Sequence, residues 1–566
     1  MTINSSNSPM TITYLAASTN VPRPRIMAAG ECTAEVTVGK IKIPLDNIKI
    51  SPREDTVTKS INLIDLYSII HARGTPASGK TTLALLLRDR LKDQGRHVFY
   101  LPNWKKYLDK VDRDTWNALY EVISQRCPGP IPPNLPDRDV VMIVDEAQGS
   151  YKDAEFWNDI IKPISDNSSD YNLRIFLFCS YGSPLTGVDN KDFCNYYTPV
   201  EIPIQQRITL TPQLNRKSPQ IGLFYTESEF NDVLSRMVRY MCPNLVATLD
   251  NEAKRYVFSL TNGHAGCVKA VIQFLCETYR AGMKLDETFV ISKHHVVDTL
   301  DKNEESDFGF LRDFGVARAF LKEKDLKPDI RDILCEIAEE GNIMWEPERP
   351  GLEECYRRGW VHRMIAGDNR HPDSYDIAVL PSRLHEKWLQ HLIGKDSKAL
   401  PPRFTNLTQL CMEILPEFSR MNLKYSTTGQ NLSTAAQFRP IEAQYQDEFY
   451  RAFNKVAGRG VPISTEWART TSGRVDFFIP EKKWAVELLR DYNGVDDHIK
   501  RFKNGGQYFQ WLETKAVNDW IVINCATTAP TAVYNESRLF HAVFQKDYTE
   551  LQISIIKGRA CMMFSV

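Results

Sequence analysis

YSIIHARGTPASGKTTLALLLRDRLKDQ, residues 67–94, decides the fold, and GTPASGKT (Gly74 to Thr81) is its centre. The apolar run YSIIHA leads into a loop with glycines at 74 and 79, and TTLALLLRDRLKDQ then follows with helical spacing. A triphosphate is a dense negative charge, which a protein meets with backbone amides, a helix N-terminus and a lysine. Here Gly74 and Gly79 let the chain wrap closely, with Thr75, Pro76, Ala77 and Ser78 between them. Lys80 is expected to reach the terminal phosphates, solvent-facing, and Thr81, followed by Thr82, to ligate magnesium. A strand before and a helix after are what this mechanism needs, so ATP and Mg2+ are the expected cofactors.

Working outward, HVFYLP (97–102), VVMIVDE (140–146) and RIFLFCS (174–180) are further continuous apolar runs separated by helical patterns. Such runs indicate a parallel sheet covered on both faces. VVMIVDE ends in adjacent carboxylates: Asp145 would hold magnesium through water, and Glu146 would polarise the attacking water as general base. An acidic pair after a strand also reads as the start of a solvated loop; the phosphate loop upstream favours the catalytic reading. Ser180 stands where a polar γ-phosphate sensor would lie, or is a plain strand-end serine.

The spacing divides the chain into a variable leader (1–55), a P-loop NTPase (56–215), a helical lid-like region (216–300), a winged-helix-like region (305–395), a linker (396–437) and a last unit (438–566). In DIRDILCEIAEEG, Ile330, Ile333, Leu334, Ile337 and Ala338 form one stripe, with Gly341 as the stop. The expected fold class is multidomain α/β: a parallel-sheet NTPase, a helical and winged-helix-like middle, and an α/β restriction-endonuclease-like end.

The order of a phosphate loop, an intervening strand, a strand ending in Asp145-Glu146, a sensor-like strand and a helical region with LTNGHAG (260–266) resembles the AAA/STAND-like ATPases. In that group a Gly-His-Pro-Gly turn approaches the nucleotide. Ala265 stands in the proline place, so the resemblance reaches Gly263 and His264 only in part. Arg207 is a further charge-stabilising candidate.

The last unit carries a second constellation. SGRVDFFIPEKKWAVELLRD reads as a hairpin turning at PEKK, which sets Asp476 across from Glu487. Two carboxylates on adjoining strands suit a hard cation and phosphodiester cleavage. Glu448, on the preceding helix, is a third candidate. HIKRFKNGGQY brings His498, Lys500, Arg501 and Lys503 near Tyr508, and Lys500, Arg501 and Tyr508 form an edge expected to grip a nucleic-acid backbone. The layout resembles the PD-(D/E)XK nucleases over about 110 residues. It departs from them at Leu489, where their lysine belongs; Arg490, Lys500 or Arg501 would have to supply that charge, and an arginine does not serve as a base. A decayed nuclease, or an ordinary hairpin with surface acids, remains the other reading. Taken whole, the order of units resembles the Crinkler-type effectors of oomycetes and some fungi, without a clear LFLAK-type header. That resemblance implies secretion and action in a host nucleus.

Bulk composition bounds these readings. The 566 residues need several domains; 42% are hydrophobic, 25% are charged, and the formal net charge is -1. No global basic field draws the chain to nucleic acid, so any contact with DNA needs a local patch. The 12 cysteines include no C-x-x-C pair, which argues against a zinc module or disulfide scaffold. No apolar run approaches the ~20 residues of a membrane span, and MTINSSNSPM lacks a standard secretion layout. Residue chemistry alone points to the cytoplasm or nucleus of the producing cell. Three functions compete: an ATPase coupled to a Mg-dependent nuclease, a nucleotide-controlled oligomerisation switch, and a catalytically inactive DNA-binding effector. A nucleotide, DNA and further copies of the chain are the partners these imply; a membrane is not.

Overall fold

A computed structural model describes residues 50–104, 140–165, 173–180, 202–212, 217–242, 248–286, 289–304, 308–346, 348–366, 375–393, 398–425, 431–432, 438–439, 442–458, 460–470, 473–530, 532, 534–555 and 561–565. Most of the leader lies outside these.

The first unit starts with α1 (Glu54–Tyr67). A five-stranded sheet follows, ordered β2-β3-β4-β1-β5, of β1 (Ile69–Arg73), β2 (His97–Leu101), β3 (Val140–Val144), β4 (Leu173–Cys179) and β5 (Arg207–Ile208). Every pairing is parallel. β1 and β3 are buried throughout, because helices cover both faces. α2 (Lys80–Asp93) turns Leu83, Ala84, Leu87 and Leu91 into that cover. Parallel pairing, this strand order and the loop between β1 and α2 make the unit a parallel-sheet P-loop NTPase fold. The leader's last residues belong with it: Arg53 is buried and donates to the carbonyls of Gly222, Leu223 and Phe224 and to Glu229.

α3 (Glu227–Met241), α4 (Asn251–Thr261) and α5 (Ala265–Leu285) form the next layer, around Phe230, Val257, Val271 and Leu275. α3 opens on a reciprocal cap between Thr226 and Glu229. Beyond them come α6 (Pro328–Glu340), β6 (Ile343–Met344), α7 (Leu352–Arg358), β7 (His362–Ala366), β8 (Tyr375–Val379) and α8 (Arg383–Ile393). Their strands form an antiparallel sheet ordered β6-β8-β7. The stripe Ile330, Ile333, Leu334, Ile337 is buried, and Gly341 ends α6 with φ 79°.

The end unit is one seven-stranded sheet: β9 (Ser464–Thr470), β10 (Gly473–Ile479), β11 (Trp484–Arg490), β12 (Asp519–Ala526), β13 (Leu539–Gln545), β14 (Glu550–Ser554) and β15 (Cys561–Ser565), in that order. β9 to β11 pair antiparallel, β11 to β13 parallel, and β13 to β15 antiparallel. α9 (Glu442–Ala457) lies on one face through Tyr445, Phe449 and Phe453. α10 (Val495–Arg501) begins the crossover from β11 to β12. Much of the expected linker is core. Leu407, Leu410, Cys411 and Ile414 recur at helical spacing and pack beneath this sheet.

Candidate functional site

The loop between β1 and α2 is held from below: Gly74 N donates to Cys179 O at 3.0 Å, tying the loop's start to the end of β4. Lys80 is 7% exposed, not solvent-facing. Its ammonium turns back onto the loop and donates to Gly74 O at 2.8 Å and Thr75 O at 2.9 Å. Burial lowers its pKa to about 8, against the pull of Glu146 and Asp145. Thr81 Oγ1 donates to Asp145 Oδ2 at 2.6 Å, and Tyr100 OH approaches the same oxygen at 3.3 Å. Burial raises the Asp145 pKa, with the Thr81 hydrogen bond opposing. The hydroxyl and carboxylate expected to share magnesium are thus already in contact across the site.

Glu146 is exposed and has φ 52°. A left-handed backbone at a non-glycine residue costs ~1–3 kcal/mol and tends to mark working sites. Gln148 supports it: its amide nitrogen donates to Glu146, and its oxygen accepts from Ser180 N at 3.1 Å. Gln148 therefore joins the β3 and β4 ends. Nothing in the sequence singles Gln148 out beside the acidic pair.

Two other units roof the loop. The α5 N-terminus sits on it: Gly266 N donates to Ala77 O at 2.9 Å, and a Cβ on Gly266 would lie 2.7 Å from the Ala77 Cβ. His264 caps α5 by accepting from Cys267 N at 3.2 Å, and its Nε2 lies 3.4 Å from Thr75 Oγ1. Burial depresses its pKa to about 4, so the ring is neutral. Gly263 O accepts from Tyr225 N at 2.9 Å. On the other side, a Cβ on Gly359, just after α7, would meet Pro76 Cδ at 2.7 Å. Arg73 fixes that contact: it donates to Tyr356 O at 3.0 Å, lies over the Tyr356 ring, and meets His362 Nδ1 at 3.2 Å. Arg207 pairs beside His71, two residues before the end of β1, and its Nε donates to Ile202 O.

In the end unit, Phe477 pairs with Val486, so one step along the ladder Asp476 stands opposite Glu487. Asp476 accepts from Gln446 Nε2 at 2.9 Å and from Leu488 N at 2.7 Å. Glu487 is 2% exposed; its Oε2 contacts His498 Nδ1 and takes Arg501 at 3.3 Å. Its Oε1 is buried without a hydrogen-bond partner.

Glu448, Arg490 and Lys500 lie away from this pair, and Tyr508 reaches it only by its hydroxyl. Glu448 is on the wrong side of α9: at 100° per residue it points well away from Gln446, the residue that reaches Asp476. It instead accepts from Ser419 N, Asn422 and Arg451, a buried structural knot. Arg490 pairs with Asp491, and strand alternation sets it on the face opposite Glu487. Tyr508 is 1% exposed, stacked on Trp511, with its hydroxyl on Arg474 O, so its ring is closed to a base. Lys500 is exposed and 3.4 Å from Asp497, and Lys503 pairs with Glu536. Of the expected edge, Arg501 and the Tyr508 hydroxyl meet the carboxylates: Arg501 Nη1 lies 3.4 Å from the Tyr508 hydroxyl, and both act on Glu487.

No family model and no curated protein matches the chain. Among solved structures it is similar to the Walker-type ATPase PABY2304 of Pyrococcus abyssi, at 15% identity and a TM-score of 0.32, over 60% of this chain and 95% of that one. It is also similar to the RuvB Holliday junction branch migration motor of Thermotoga maritima, at 14% identity and TM-score 0.28, over 55% and 89%. The FIGL-1 AAA domain in complex with ADP matches at 9% identity and TM-score 0.27, over 48% and 91%. The P-loop fold stands on this chain's own sheet order and loop. Among the described residues no helix is long and apolar enough to cross a membrane.

Proposed function

We propose that the chain binds and hydrolyses ATP with Mg2+, and that the helical and winged-helix-like units read the nucleotide state through the roof they form over the phosphate loop. The observation that carries this is the Thr81–Asp145 pair at 2.6 Å beside Lys80, with Glu146 next in sequence. The residues fit a magnesium nucleotide: Thr81 and Asp145 supply hard oxygen donors, and Ser78 Oγ is buried and unpartnered in the loop. On binding, Lys80 would leave its two carbonyls for the terminal phosphates, while Glu146, steadied by Gln148, would orient the attacking water. The test is ATP turnover by the purified chain with and without Mg2+, alongside Lys80→Met. Absent turnover, or turnover unchanged by that substitution, removes the reading.

For the end unit we infer a divalent-metal nuclease-like function on or near DNA. The specific support is the cross-strand Asp476–Glu487 pair, with a buried carboxylate oxygen that lacks a donor and so suits a cation. Arg501 would supply the positive charge that Leu489 cannot, gripping phosphate without acting as a base. Plasmid and single-stranded DNA, incubated with Mg2+ or Mn2+ and with or without ATP, should be cut by the wild type and left intact by Asp476→Ala and Glu487→Ala. If DNA is bound and never cut, the unit is a binding module. Assembly driven by nucleotide without cleavage would instead favour the oligomerisation switch. An effector role in a host nucleus rests on the resemblance alone.

A further inference from the structure

Behind the phosphate loop, α5 and α8 bring together three side chains that bind soft metals: His264, Cys267 and His385. One ligand atom of each lies within 4.8 Å of the other two. His264 and Cys267 are 0% exposed and His385 is 5% exposed. The His385 ring is fixed on two sides. Its Nδ1 meets Ser382 Oγ at 2.8 Å, and its face stacks on Phe320, with centroids 4.2 Å apart and 9° between planes. The opposite nitrogen, Nε2, is buried and makes no hydrogen bond of good geometry, although the Ala319 backbone acts on the ring. Burying a polar atom without a good partner is unfavourable, so native structures generally give such an atom a purpose.

We propose that His264, Cys267 and His385 bind one zinc ion in the seam between α5 and α8. A thiolate with two imidazoles selects a soft or borderline ion over magnesium or calcium, which prefer oxygen. Three protein ligands leave the fourth tetrahedral position open. With Zn–N of about 2.0–2.1 Å and Zn–S of about 2.3 Å, the ligand atoms of a tetrahedral site stand roughly 3.3–3.7 Å apart. The widest spacing in the present cluster must close by about 1–1.5 Å to reach that geometry, a shift shared among the three side chains. Ser382 plays the supporting part common at such sites, holding the non-ligating nitrogen of His385 and thereby aiming the other. The Cys267 thiol gives up its proton to solvent as the Zn–S bond forms.

The site reports to the nucleotide loop because His264 has no idle nitrogen. Nδ1 accepts from Cys267 N and Nε2 lies against Thr75 Oγ1, so an ion taking either one loosens the α5 cap or releases Thr75. Zinc and nucleotide affinities are then coupled, and each ligand must shift the other's affinity by the same factor.

The experiment uses the full-length chain stripped with a chelator and free of nucleotide. Zn2+ is titrated alone against a chromophoric competitor, and Co2+ is titrated separately as an optical probe. Expected are one equivalent of Zn2+ and, with Co2+, a thiolate-to-cobalt charge-transfer band together with tetrahedral d–d absorption. The band should disappear in Cys267→Ser, zinc affinity should fall at least ~100-fold in His385→Gln, and Ser382→Ala should weaken it ~10-fold. A wild-type protein without the cobalt–thiolate band overturns the proposal, whatever the variants do. So does stoichiometric zinc binding that survives both Cys267→Ser and His385→Gln, since the ion would then lie elsewhere.

Discussion

Raising the pH from 7 to 9 should weaken ATP binding about tenfold, through Lys80 alone. In the nucleotide-free protein, burial brings the Lys80 pKa to about 8, and Glu146, Asp145, Cys179 and Arg73 are the charged or titratable groups that act on it. A bound triphosphate stabilises the cation and returns its pKa to at least the ordinary ~10.4 of a lysine. Between those two values the complex holds a proton that the free protein has lost. At pH 9 only about one free molecule in eleven has a charged Lys80, so affinity falls by roughly that factor; at pH 7 nearly all are charged and little is lost. The sign for folding is opposite: the unfolded chain keeps its proton up to ~10.4, so a lowered native pKa makes the nucleotide-free fold more stable as pH climbs from about 8. Calorimetry with a non-hydrolysable ATP analogue and Mg2+, in two buffers of different ionisation enthalpy, measures the proton directly. Uptake should be near 0.1 proton at pH 7 and near 0.9 at pH 9, and absent in Lys80→Met, by the titration relation above. Affinity that is flat from pH 7 to 9.5, or uptake that persists in Lys80→Met, refutes the reasoning.

Glu146→Gln should keep ATP binding, because Thr81 and Asp145 still provide for the metal, yet lose turnover by ~10²–10⁴-fold; single-turnover kinetics with labelled ATP would show this, and normal hydrolysis would move the base elsewhere. Glu448→Ala should leave Asp476 and Glu487 undisturbed while stranding Arg451, destabilising the end unit by ~3–5 kcal/mol, seen as an earlier urea transition of that unit. Gly266→Val should force α5 off the loop, since even a first carbon meets Ala77 at 2.7 Å; overpacking of this kind costs ~1–3 kcal/mol and would appear as a smaller rise in Tm on adding ATP.

The nucleotide loop was legible because its chemistry is local. Backbone amides and one lysine must follow a strand and open a helix, so Gly74 to Thr81 and the strand ending at Asp145 announce themselves within short spans. The hairpin pairing Asp476 with Glu487 was legible for a similar reason: a four-residue turn sets its register. What covers the loop was not legible. Gly266 and Gly359 lie far along the chain, and their meaning depends on how three units dock. Tyr508 misled because KNGGQY is polar, yet a ring set by Phe502, Trp511 and Trp520 draws it inside. Glu448 misled because a helix carries two faces, and only the contacts of Ser419, Asn422 and Gln446 tell which face meets which neighbour. The stretch around Leu407 held an amphipathic pattern, obscured by Pro401 and Pro402 beside it.

The roof over Thr75, Pro76 and Ala77 makes the loop a shared hinge of three units. Added carbons at Gly266 and Gly359 would each stand 2.7 Å from it, so any shift of the loop must be met by both neighbours. On the proposed ATPase reading, a change at Tyr356, which holds Arg73 at the end of β1, should then be felt at the loop without touching a residue of the loop itself.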